Sequence, residues 1–447
     1  MPKDAQGLAM TAASDDAALG FDRVIDGFLR YRFDTGARLK AALALDPQAP
    51  LLQAMAGYSA MLAYDRGMLP RAEAALARAE ALPANARERA HLAALRAWSG
   101  GRPEAALGVW EQIVAEHPRD ILAFRLHHFT AFWMGAPERM LSLVERILPH
   151  WSADIPGWGS VLACRCFANE ECGNYTVAEH AGRDAVALDP GDLWATHGVA
   201  HVLEMQGRRS EGIAWLDAGE PHWAGGNNLM HHLWWHRAMF HVERREFDAV
   251  LALYDRRFRD HASPVTQAMP DLYIDVQNAA SMLWRLERQG VPVGDRWTEL
   301  ADKAEARIGD TLSAFTQPHW MMALAATGRE AAAQRLLQSV AEAGRGNTAH
   351  AAILRDAALP ACRAALAHRQ GRFADAVNAL RPALGDLHRL GGSHAQQDVL
   401  EQLFLDAAMK AGLTEDARML LERVAGRHPV PPEKRIGYAD GARLVMH

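Results

Sequence analysis

The feature that most constrains the fold is a short pattern that recurs along most of the chain. Each copy has two alanine- and leucine-rich segments separated by a turn residue. Residues 87–118 contain Trp98 before a turn at Gly100, and Ala106 and Pro118 after it. Further copies turn near Gly67, Gly135, Gly173, Gly207, Arg245, Gly290, Gly328, Gly371 and Gly412. A recurring unit of this kind predicts a stacked repeat array rather than a set of unrelated domains.

The unit fits the two-helix tetratricopeptide template. Small residues such as Ala106, Ala178 and Ala417 let two helices approach, while Trp110 and Leu216 fill the space between neighbouring pairs. One pair cannot bury its own apolar face, so pairs must stack. The sequence therefore predicts an all-α, tetratricopeptide-like superhelical solenoid of about eleven antiparallel helix pairs.

The composition agrees with a helical array. Apolar residues make up 49% of the chain, charged residues 23% and aromatic residues 7%, and the abundant alanine and leucine suit helices. We expect residues 1–17 to be poorly ordered and residues 18–429 to form a single array. Residues 430–447 contain no clear repeat and are expected to form a C-terminal cap or tail.

Charge and cysteine content limit the partners and the compartment. The net charge of −6 comes from 54 acidic and 48 basic residues spread along the chain, which predicts neither nucleic-acid nor membrane binding. The N-terminal residues lack the apolar run of a signal peptide. Four cysteines are too few for a disulfide framework. A cytoplasmic location is therefore expected.

Four longer segments make the chain resemble a known family, the relatives of tetratricopeptide repeat protein 38. They are residues 197–207 (HGVAHVLEMQG), 228–243 (NLMHHLWWHRAMFHVE), 281–290 (SMLWRLERQG) and 391–399 (GGSHAQQDV). The resemblance implies a tetratricopeptide-like fold over most of the chain. It implies no particular activity and no catalytic residues.

The centre of the chain is rich in histidine. His197, His201 and Glu204 are spaced at i, i+4 and i+7, which places them in one stripe on a helix. In the tetratricopeptide template this stripe faces the concave groove.

Residues of the neighbouring units are expected on the same surface. They are His232, Trp235, His236 and Glu243 from the next unit, Glu170 from the preceding one, and Trp284 further along the chain.

Three interpretations of this cluster remain open at this point. The side chains could form a hydrogen-bonded interior. They could instead line a recognition groove, where His197, His201 and Glu204 hydrogen-bond a ligand and Trp235 or Trp284 supplies apolar area. The third interpretation is catalysis. We favour a concave groove that binds a peptide-like or small polar ligand. The partner would be a peptide, a protein or a small molecule. The alternative is an enzyme.

An enzyme would use the same cluster for metal-dependent or general acid–base chemistry on a small molecule. His201 and Glu204 are the catalytic candidates. A metal ion would need His197 and His201 with Glu204, or a further ligand such as His232 or His236. Without a metal, Glu204 would pair with His201 and raise its pKa. No cofactor is predicted, because phosphate-binding and dinucleotide-binding motifs are missing from the sequence.

Overall fold

The computed structural model describes residues 1–445, and this part of the chain is helical without β-strands. The last two residues of the predicted cap or tail, 446 and 447, lie outside the described residues. The helices form two compact units, whereas the sequence predicted a single array. Unit 1 comprises residues 1–199 and 219–230, and unit 2 comprises residues 200–218 and 231–447.

Unit 1 contains the first five helix pairs. They are α1 (Asp15–Leu29), α2 (Thr35–Leu45), α3 (Pro50–Leu62), α4 (Leu69–Glu80), α5 (Ala86–Ser99), α6 (Pro103–Glu116), α7 (Ile121–Trp133), α8 (Pro137–Ile147), α9 (Trp158–Glu171) and α10 (Tyr175–Leu188). Helix α11 (Leu193–Met205) begins in unit 1 and ends in unit 2.

The remaining helices lie in unit 2, except that Gly219 at the end of α12 and the first two residues of α13 belong to unit 1. They are α12 (Arg209–Gly219), α13 (Leu229–Glu243), α14 (Phe247–Leu253), α15 (Pro264–Ala268), α16 (Tyr273–Arg288), α17 (Arg296–Ala306), α18 (Thr316–Ala326), α19 (Glu330–Ala343), α20 (Ala349–Ile353), α21 (Leu359–Arg369), α22 (Phe373–Leu380), α23 (His394–Lys410), α24 (Thr414–Arg427) and α25 (Ala439–Val445). The short helices α15 and α20 lie between pairs, so the described residues form eleven pairs, as predicted.

The turns inside the pairs confirm the repeat. Two residues after the end of each first helix there is a residue with positive φ, a conformation that glycine adopts without steric cost. These residues are Tyr31, Tyr64, Gly101, Gly135, Gly173, Gly207, Arg245, Gly290, Gly328, Gly371 and Gly412. This agreement confirms the predicted all-α, tetratricopeptide-like fold.

One predicted turn is displaced. The left-handed residue of the second pair is Tyr64, with φ of 47°, and not Gly67. Gly67 lies in a 3-10 turn, Arg66–Met68, where its N–H donates to the Asp65 carboxylate at 2.7 Å. A tyrosine at the turn gives no sequence signal, so the nearest glycine marked the wrong position.

Residues 1–17 are part of unit 1 and are packed within it, in contrast to the poor order expected for them. The Asp4 carboxylate lies 3.1 Å from the Arg87 guanidinium, and both side chains are buried. The Thr11 N–H donates to Glu88 at 2.7 Å, and Met10 is fully buried. Specific polar partners therefore fix a segment whose composition alone indicated mobility.

The end of the described chain is also packed. A 3-10 turn, Pro432–Lys434, precedes α25, which contacts α23 and α24. Tyr438 is fully buried and donates a hydrogen bond to Asp398. Within the described residues, this segment covers part of unit 2 as a cap. None of the helices in residues 1–445 has both the length and the apolar character needed to cross a membrane.

Candidate functional site

The predicted histidines of unit 2 lie together inside the protein. His201 comes from α11, and His232 and His236 lie one turn apart on α13. Their side chains are at most 2% exposed. The ring centroids of His201 and His236 are 4.4 Å apart, and those of His232 and His236 are 4.7 Å apart.

The expectation that these side chains line an open groove is wrong. Helix α11 is buried along almost its whole length, and α13 is partly exposed along one stripe that contains Met230, Trp234 and Arg237. Trp235 is likewise fully buried, with its ring stacked on that of His232 at 5.2 Å. The three histidines and Trp235 are therefore enclosed rather than open to solvent.

Polar partners orient two of the imidazoles. Nδ1 of His236 lies 2.7 Å from Oε2 of Glu204, and Nδ1 of His232 lies 3.1 Å from Oδ1 of Asn278 on α16. The Glu204 side chain is 14% exposed, so it joins the buried histidines to a less enclosed region.

Burial controls the ionisation of the cluster. It lowers the pKa of His201 and His232 well below the usual value for histidine, and lowers that of His236 to about 3. The sequence predicted that Glu204 would raise the pKa of His201, which is wrong because burial disfavours the charged imidazole. The same burial raises the pKa of Glu204 to about 8.

Glu204 also lines a small cavity in unit 2. The cavity has a volume of about 50 Å³, which is room for about four water molecules. Its walls come from α11, α12, α13, α16, α23 and the segment between α24 and α25. The lining residues that carry charge or hydrogen-bonding groups are Glu204, Arg209, Glu243, Arg285, Gln289, His394, Asp398, Gln402, His428 and Arg435.

Asp398 organises one wall of this cavity. Its carboxylate lies 2.5 Å from the Arg435 guanidinium and 3.6 Å from that of Arg285, and it accepts hydrogen bonds from Tyr438 and Gln402. Burial alone would raise the pKa of Asp398, but the two arginines and Tyr438 outweigh it and lower the pKa. Asp398 is therefore held as a carboxylate.

Glu243 and Arg209 form a second charged pair at the cavity. Their closest atoms are 2.7 Å apart, and Glu243 also accepts from the Ile436 N–H at 3.3 Å. Burial raises the pKa of Glu243 above its usual value, with Arg209 acting in the opposite direction. Carboxylate and guanidinium groups thus face the same small space.

Unit 1 contains two of the other predicted site residues, His197 and Glu170. His197 belongs to unit 1, where its ring is 4.7 Å from Trp194 and 5.2 Å from Phe167. Glu170 is fully buried on α9 of unit 1. Trp284 packs near His368 at 5.8 Å, rather than supplying apolar area to the histidine cluster.

Sequence reasoning missed the arginines of the cavity. Arg285 lies within segment 281–290 and Asp398 within segment 391–399, and both segments carry the family resemblance. The signal was therefore present but had no chemical interpretation. Arg435 lies in a segment without a repeat pattern, and nothing in the sequence indicates that it returns to α23.

Comparison with known proteins gives fold similarity only. No protein-family model matches the chain. The chain is similar to the human IFIT1 dimer with m7Gppp-AAAA, at 12% identity and a TM-score of 0.42, covering 93% of this chain and 95% of that one. It is also similar to yeast Tom70, at 12% identity and a TM-score of 0.36, with coverages of 97% and 95%. Similarity at this level carries no argument about function.

Proposed function

We propose that this chain is a helical-repeat binding protein whose unit 2 cavity takes up a small polar molecule that carries a carboxylate. The observation that carries the proposal is the convergence of three guanidinium groups, from Arg209, Arg285 and Arg435, on one small cavity. Guanidinium groups match the planar geometry of carboxylates and can bind them through two hydrogen bonds.

The origin of the lining residues supports this assignment. The four segments that carry the family resemblance are far apart in the sequence, yet each contributes to the cavity. Examples are Glu204, Glu243, Arg285 and Asp398. Stability alone does not require charged side chains from four helices to meet, because apolar residues would fill the same space at lower cost.

The size and composition of the cavity define the ligand further. Its volume of about 50 Å³ accommodates a molecule of a few heavy atoms and is too small for a folded peptide segment. Glu243 and Asp398 provide acceptors for an ammonium or amide group, and Met239 and Phe240 provide apolar contact. An amino-acid-like molecule has a carboxylate for the arginines, an ammonium group for the acidic side chains and a small side chain for the apolar contact.

The test is ligand-observed NMR with a panel of small amino acids and small dicarboxylates. Arg209→Gln is the informative variant, because Arg209 lines the cavity but is 28% exposed. Arg208→Gln is the matched control, since Arg208 pairs with Glu211 and does not line the cavity. We expect a binder whose affinity falls at least tenfold in Arg209→Gln, which corresponds to about 1.4 kcal/mol.

Two results would contradict the proposal. One is that no member of the panel binds to the wild-type protein. The other is that Arg208→Gln weakens binding as much as Arg209→Gln does, which would place the ligand outside the cavity.

A second candidate function is catalysis on the bound molecule. The observation that favours it is the hydrogen bond between Glu204, which lines the cavity, and His236 of the buried cluster. A carboxyl group with a pKa of about 8, placed between a ligand cavity and an imidazole, is suited to give or take a proton near neutral pH. Incubating the identified binder with wild-type and Glu204→Gln protein, followed by NMR of the products, separates binding from turnover.

We also propose that the chain belongs to the tetratricopeptide repeat protein 38 family and acts in the cytoplasm. The family assignment rests on the four segments quoted above. The location is supported by the cysteines, which are free among the described residues. Reaction of the protein with a thiol-specific reagent in intact and unfolded states would test whether all four are reduced.

A further inference from the structure

Three histidines of unit 2 come close enough to share one ion. One nitrogen atom each from His201, His232 and His236 lies within 4.8 Å of the others. Nitrogen ligands of a tetrahedral zinc ion are about 3.3 Å apart, given zinc–nitrogen bonds of about 2.0–2.1 Å. Side-chain movements that shift each nitrogen by about 1 Å would therefore bring all three within bonding distance of one zinc ion.

The backbone positions of these residues suit a metal site. His232 and His236 are separated by one turn of α13, a spacing that lets two imidazoles bind the same ion. His201 is supplied by a different helix, α11. Ligands held on rigid helices keep their geometry better than ligands on loops.

The hydrogen bonds around the cluster match those of metal-binding histidines. Such residues donate one ring N–H to a carboxylate or amide oxygen and bind the ion through the other nitrogen. Nδ1 of His236 faces Glu204 Oε2 at 2.7 Å, and Nδ1 of His232 faces Asn278 Oδ1 at 3.1 Å. An N–H at Nδ1 leaves the lone pair of each ring on Nε2.

We propose that His201, His232 and His236 together bind one divalent transition-metal ion of the zinc type. Imidazole nitrogen is a preferred ligand for zinc, copper and nickel, and catalytic as well as structural zinc sites are built from at least three protein ligands. The proposal goes beyond the binding function above, because it rests on the histidine geometry and does not need the cavity ligand.

The first experiment is metal analysis of protein purified without a histidine tag and then incubated with zinc. We expect about one zinc ion per chain, in keeping with a single site. His232→Gln should lower the affinity at least tenfold. His319→Gln is the matched control, because His319 is a buried histidine of unit 2 that hydrogen-bonds the Phe315 carbonyl at 2.8 Å.

A second measurement avoids dependence on the variants. Cobalt(II) added to metal-free wild-type protein should produce the visible absorption bands of tetrahedral cobalt. Absence of these bands together with no bound zinc in the wild-type protein would overturn the proposal, whatever the variants do. Equal loss of metal in His232→Gln and His319→Gln would overturn the assignment to this cluster. Neither outcome depends on whether a small molecule binds in the cavity.

Discussion

A single buried carboxylate in unit 1, Asp120, connects three neighbouring groups. It lies 2.9 Å from the Arg87 guanidinium and 3.1 Å from Nε2 of His91, and it accepts the Ala123 N–H at the start of α7. Burial would raise the pKa of Asp120, but His91, Arg87 and the Ala123 N–H outweigh it and hold the pKa below its usual value. The charged form is therefore the stabilising one.

Replacing Asp120 tests this network. Asp120→Asn should lower the free energy of unfolding by about 3 kcal/mol at pH 7, because Arg87 loses a buried partner. A carboxylate whose pKa is lower in the folded state stabilises the fold above the unfolded pKa and loses that effect as the pH falls below it. The difference between wild-type and Asp120→Asn, measured by urea unfolding, should therefore shrink below about pH 4.

The exposed carboxylate of Glu73 on α4 provides a control for the measurement. Glu73→Gln should leave the free energy of unfolding nearly unchanged at pH 7 and at pH 3. A difference for Asp120→Asn that stays constant between pH 7 and pH 3 would show that the loss comes from packing rather than charge.

At the scale of the helices, the turns were predictable and the buried faces were not. The glycines at positions 207 and 290 indicate residues in the left-handed conformation, because that conformation is sterically unfavourable for other residue types. Spacing likewise placed His232 and His236 on one side of a helix. Spacing along one helix does not reveal what covers that side, because the covering segments are distant in the sequence.

Arg245 offers a test of the turn argument. It is exposed and has φ of 60°, where the other turns of unit 2 have glycine. Arg245→Gly should raise the free energy of unfolding by about 0.5–1 kcal/mol, because relief of the left-handed strain exceeds the added freedom of glycine in the unfolded chain.

The reverse change in an equivalent turn should have the opposite sign. Gly173 has φ of 79° and open space around its Cα, so Gly173→Ala adds strain without a clash. We expect a loss of about 1 kcal/mol in the same urea unfolding experiment. Two changes of the same sign would mean that backbone conformation does not decide stability at these turns.

At the scale of the molecule, the candidate site is built from residues that are far apart in the sequence. Glu204 and Arg435 line the same cavity although most of unit 2 lies between them in the sequence. The repeat pattern predicted the helix pairs, since each pair is a local unit. It could not predict the cavity, because the segment that contains Arg435 carries no repeat and packs only through tertiary contacts.

The central claim is that the unit 2 cavity is a binding site and not a packing defect filled by water. Native mass spectrometry after incubation with the panel of carboxylate-bearing small molecules tests it most directly. We predict an added mass equal to one small molecule on wild-type and Arg208→Gln protein, and its loss from Arg209→Gln. Spectra in which all three proteins keep their unliganded mass would contradict the claim. The charged side chains of the cavity would then have a structural role only.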